Sequence, residues 1–166
     1  MIAINDYRAM IAQLRTLATA ELRRKYPDEF RAEQAIDHVV LAIDDAHLVN
    51  LLKDKKGIIL CGNIPGFELQ RYGGMLSTSN CVLFLVEKMS KDHQGSDNEF
   101  RRYQHLQLIM TELIRQIDGD YLQQTMCDLG LQRLADLNIE WEYNIFGGFN
   151  GISLGFRLRD DHGTEI

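Results

Sequence analysis

At 166 residues, with 45% apolar and 25% charged content, the chain has the make-up of one folded domain and lies outside the disordered and fibrous classes. Its formal net charge of −6 repels phosphate backbones and anionic lipid, so neither a nucleic acid nor a membrane partner is expected. Three cysteines, Cys61, Cys81 and Cys127, cannot all pair with one another, no apolar run reaches the length of a membrane span, and Met1 to Asp6 lacks the pattern of a signal peptide, which together point to the cytoplasm.

Tyr7, Met10, Ile11, Leu14, Leu17, Ala18 and Leu22 recur at three- and four-residue spacing, which predicts a helix beginning at Asn5 or Asp6 and ended by Pro27. A connection over Phe30 to Gln34 leads into Val39 to Ile43, a short β-branched strand. Asp44-Asp45 can cap a helix over Ala46 to Lys55, with Gly57 as its stop. Ile58 to Cys61 is apolar on both faces, as suits a strand covered on both sides. Gly62 to Gly74 reads as a long loop around one irregular edge strand, Phe67 to Arg71. Cys81 to Val86 is the most apolar run and is predicted as the central strand.

Ser96-Asp97-Asn98-Glu99 has capping-box spacing and opens the longest helix, with Phe100, Tyr103, Leu106, Met110, Leu113 and Ile117 in register and Gly119 closing it. A second helical pattern covers Tyr121 to Leu129, the state of residues 131–137 is left open, and Asp160 to Ile166 reads as a polar, frayed tail. Between them Ile139, Trp141, Tyr143 and Ile145 alternate with polar residues, as do Ile152, Leu154, Phe156 and Leu158. Asn150-Gly151 is a strong type I′ dipeptide, so a hairpin turning there is predicted, with Phe149 opposite Ile152, Tyr143 opposite Leu158 and Glu142 opposite Arg159. A loop over Gly148 to Gly151 would keep the same faces. In either case the large apolar side chains share one face, which helices should cover.

The sum is a single α+β domain over residues 1–166, in which a mostly antiparallel sheet with a C-terminal hairpin packs on two or three helices. Chemistry is sparse in it. Asp44, Asp45 and His47 are the densest group of candidate metal ligands or hydrolytic residues, while capping alone accounts for the aspartates. Cys61 and Cys81 fall in buried strands, where thiols are inert, and Cys61 to Gly66 lacks the ending of a phosphate-binding loop. The basic runs Arg23-Arg24-Lys25 and Lys53 with Lys55-Lys56 fall at helix ends, where cations suit the dipole. No catalytic residue, metal or cofactor is therefore assigned. Phe67, Tyr72 and Met75 in the glycine-rich stretch and Phe149 at the hairpin tip are the candidate interface residues.

The order of elements, with the strand Cys81 to Val86, the helix Ser96 to Ile117 and the run Phe149 to Phe156, resembles small prophage and mobile-element proteins similar in fold to phage tail-completion or tail-terminator proteins. That resemblance implies an assembly role in a ring of identical subunits, a location in a virion-like particle, and no catalytic residues. The expectation is a non-enzymatic, self-associating structural or interaction protein. The alternative is a small-ligand or metal-binding domain, or a hydrolase, with its site at Asp44, Asp45 and His47.

Overall fold

The computed structural model describes residues 2–71, 75–89 and 97–160. In chain order the elements are α1 (Ile4–Lys25), β1 (His38–Ala42), α2 (Asp45–Leu52), β2 (Ile58–Asn63), β3 (Gly66–Arg71), β4 (Met75–Lys88), α3 (Asp97–Asp118), α4 (Asp120–Asp128), β5 (Leu131–Ile145) and β6 (Phe149–Asp160). They form one α+β domain around a six-stranded mixed sheet of order β1-β2-β4-β6-β5. The short β3 pairs with the start of β4, Met75 to Asn80, and β2 with its later part, Leu83 to Glu87. Only β1 and β2 run parallel, joined through α2; the other pairs are antiparallel.

Local chemistry explains where the helices start and stop. The Asp44 carboxylate accepts from the His47 amide at 2.8 Å and caps α2, whereas α1 begins one residue before its predicted cap with no side-chain bond at Ala3. Arg23, Arg24 and Lys25 close α1, where cations suit the carbonyl end of the helix. Residues 131–137 belong to β5, and the predicted loop over Gly62 to Gly74 is largely strand, with β2 reaching Asn63 and β3 filling Gly66 to Arg71.

Two cores lie on opposite faces of the sheet. On one face α1, α3 and α4 cover Leu60, Cys81, Leu83, Leu85, Ile152 and Leu154. On the other, the short α2 covers Val40, Ile59, Cys61, Val86 and Phe149. Directly paired residues share a face, so the row Val39, Leu60, Leu85, Ile152, Trp141 crosses the helical side. The row Val40, Cys61, Phe84, Ser153, Glu140 crosses the α2 side.

The hairpin is present, but its turn and register differ from the expectation. The chain reverses at Phe146-Gly147-Gly148, where Phe146, Gly147 and Gly148 have φ of 50°, 82° and 110°. Trp141 pairs with Ile152 and Glu142 with Gly151, so Glu142 does not face Arg159, whose partner is Gln132. Asn150 lies inside β6, and its side-chain oxygen accepts from the Asn144 amide at 2.7 Å, holding a bulge at that residue. The shift preserves parity for Ile139 and Trp141 against Ile152 and Leu154. It sends Phe149 to the α2 face instead.

The buried polar atoms give the fold an alkaline weakness. Burial pushes the thiols of Cys61 and Cys81 up to about 12 from an ordinary 9.0. Burial likewise holds Tyr7 well above its ordinary range, its hydroxyl facing the Cys81 thiol without hydrogen-bond geometry. Between the unfolded and folded values the native state keeps protons that the unfolded chain has released. Stability should therefore be full below about pH 9 and fall as the pH climbs towards about 12, by roughly 1.4 kcal/mol per pH unit for each group. Thermal unfolding midpoints at pH 8, 9 and 10 measure this, and Cys61→Ala should flatten the slope by its share. A midpoint constant over that range contradicts the assignment.

Candidate functional site

Of the four predicted interface residues, Phe149 has a described side chain. Phe149 is 1% exposed and packs beneath α2 beside Val86, because Gly147-Gly148 rather than Asn150-Gly151 makes the turn and draws Phe149 into β6 opposite Lys88. It is not an interface residue of the folded chain. Phe67 and Met75 occupy strand positions in β3 and β4, their side chains lying outside the described residues, and Tyr72 lies outside them altogether.

Asp44, Asp45 and His47 do come together on the first turn of α2, all exposed. Each is engaged locally. Asp44 caps the helix, Asp45 accepts from the Asn63 amide at 2.6 Å, and the His47 Nδ1 accepts from the Ile43 amide at 3.5 Å. Among the described residues no group of three or more histidines, cysteines or acids has the spacing of a metal site. Raised to about 12, the thiols of Cys61 and Cys81 stay protonated at neutral pH and cannot serve as nucleophiles there.

The surface that stands out is built by residues the sequence assigned to the core. Phe100 on α3 is 67% exposed, and Trp141 and Tyr143 on β5 are 59% and 62% exposed, with Ile139 beside them. Their cause is the sheet order. β5 is the last strand, and α3 lies chiefly over the interior strands, so the apolar row of β5 extends beyond the helical layer. Tyr103 bridges the gap to Trp141. Its ring meets Trp141 at 5.3 Å and 79°, edge to face, and its hydroxyl donates to the Glu142 carbonyl at 3.2 Å. Burial raises the Tyr103 hydroxyl above its ordinary value, with Glu99 and Tyr143 adding to the rise.

Phe100, Tyr103 and Trp141 line a groove of about 390 Å³ together with Gln104 and Gln107. Along it runs the outer edge of β5, whose longer regular stretch, 138–142, lies between irregularities at Leu134/Asn138 and Glu142/Ile145, with positive φ at Asp136 and Asn144. Glu140 and Glu142 project from the opposite face of the same stretch. Bulges at both ends limit how much of the edge can pair with another strand. The signal for this surface was present as alternation in β5 and as Phe100 at the start of α3. What was missing was the knowledge that β5 ends the sheet.

Among the described residues no helix is long and apolar enough to cross a membrane. No protein-family model matches the chain, and no curated protein matches it in sequence.

Proposed function

We propose that the chain is a non-enzymatic assembly subunit that associates with further copies of itself through the aromatic strip of Phe100, Trp141 and Tyr143 and the adjoining edge of β5. The observation that carries this is the position of the only tryptophan, more than half exposed beside a strand edge that has no partner strand among the described residues. Solvent-facing aromatic clusters of this kind are favoured interface centres, and a strand edge supplies backbone groups for pairing. The resemblance in element order to phage tail-completion proteins extends the reading to an assembly role in a phage-like particle.

Association should be visible by sedimentation velocity at micromolar concentration, accompanied by a blue shift of the Trp141 emission as its ring leaves water. Trp141→Ala with Tyr143→Ala should return the chain to monomer while changing folding stability by less than about 1 kcal/mol, because both rings are largely exposed. A wild-type chain that stays monomeric across that range defeats the proposal.

A further inference from the structure

The two ends of the sheet differ in charge, and they differ in a complementary way. At the β5 end the helical side carries the rings of Phe100, Tyr103 and Trp141 with Glu99 near them, and the α2 side carries Glu140 and Glu142. At the β1 end a cleft of about 580 Å³ wraps around the outer strand. Arg8 and the half-exposed Ile4 line its helical side, Leu51 and Lys55 its α2 side, and Val39 and Val40 lie between them. Among the described residues neither Arg8 nor Lys55 has an ion-pair partner. Asp37, Asp44 and Asp45 flank β1 as hydrogen-bond acceptors, and no acid is among the residues that line the cleft. No cation is among the residues that line the β5 groove.

Direction and length match as well. Since β1 and β2 are parallel and the three later steps to β5 are antiparallel, β5 runs opposite to β1. A second copy added in the same orientation therefore presents its β1 antiparallel to β5. Its five residues, His38–Ala42, equal the regular stretch 138–142 between the bulges. Each face then meets its counterpart: Arg8 approaches the Trp141 ring on the helical side, and Lys55 approaches Glu140 and Glu142 on the other. Pairing two β5 edges would instead gather four carboxylates, and pairing two β1 edges would gather the cations.

We infer that copies of this chain join head to tail, the β5 border of one docking into the β1 cleft of the next, with Arg8 and Lys55 as the cations that read the acidic, aromatic border. This rests on the self-association proposed above and specifies its geometry as heterologous, which can close into a ring or continue as a filament.

Two variants blocked at opposite ends test it: Trp141→Ala with Tyr143→Ala, and Arg8→Glu with Lys55→Glu, each checked for an unchanged circular dichroism spectrum and unfolding midpoint. Each alone should sediment as a monomer, and an equimolar mixture should give a 1:1 dimer and nothing larger, since one free β5 border then meets one free β1 cleft. Milder Arg8→Gln with Lys55→Gln should weaken wild-type association at least tenfold if the charge-reversed chain proves unstable. Association should also weaken with added salt, by roughly tenfold over a range in which the screening length falls below the charge separation. If wild type associates but either blocked variant still dimerises alone, or the mixture stays monomeric, the head-to-tail geometry is wrong while self-association stands. A monomeric wild type removes both.

Discussion

Gly151→Ala is expected to be the most damaging glycine-to-alanine change among the described residues, costing more than about 3 kcal/mol and lowering the unfolding midpoint by roughly 10 °C. A Cβ there would lie 2.0 Å from the Leu85 carbonyl oxygen and 2.9 Å from the Val86 Cα, both backbone atoms of the neighbouring strand β4. Backbone in the middle of a sheet cannot move aside without breaking ladder bonds on both sides of β6, so the methyl group forces the strands apart. Gly147→Ala supplies the contrast. Nothing lies within 4 Å of its Cβ position, and its φ of +82° leaves only the left-handed penalty of about 1–2 kcal/mol. Urea unfolding of the two variants should therefore rank Gly151→Ala well below Gly147→Ala. A turn at Asn150-Gly151 would predict the reverse order, so the measurement also decides the hairpin register.

The second large effect concerns the carboxylate that ties α1 to α3. Glu112 is 3% exposed, accepts from the Lys25 ammonium at 2.7 Å and from the Gln116 amide at 2.8 Å, and has Arg115 at 3.7 Å. Lys25→Met removes the closest cation and leaves the carboxylate in a largely apolar contact between helices. The expected loss is about 3 kcal/mol, at the low end for a broken buried pair because Gln116 and Arg115 remain. Glu112→Leu combined with Lys25→Met should recover most of that loss, since two apolar side chains of similar size need no charge compensation. A double-mutant cycle by thermal unfolding reads the coupling directly. If Lys25→Met alone changes stability by less than about 0.5 kcal/mol, the ion pair is not a structural tie.

Both predictions turn on positions whose role was only partly readable beforehand. Glu112 stands on the predicted long helix, but its burial depends on where α1 lies. Asn150-Gly151 carries a genuine local preference for a turn, and a competing preference won: Gly147-Gly148 can adopt positive φ without a side-chain penalty, and the ladder between β4 and β6 demands a residue without a side chain opposite Val86. The interface was displaced for the same kind of reason. Phe149 was expected at a hairpin tip and lies in the second core, whereas Trp141 and Tyr143 were expected beneath helices and are more than half exposed.

What the amino-acid sequence determined by itself was local and periodic. Apolar spacing set the four helices, alternation set the shared face of Ile139 and Trp141 with Ile152 and Leu154 but not that of Ile145 and Phe149, and the Asp44 cap set where α2 begins. These follow from the helical turn and the two-residue pleat, which each short segment carries within itself. Tertiary structure alone decided which strand ends the sheet, how far the helical layer reaches, and which charges collect at each border. Those depend on pairing between segments distant in the chain: β5 has the same alternating pattern whether it is covered or exposed, and only its place beyond β6 leaves Trp141 uncovered.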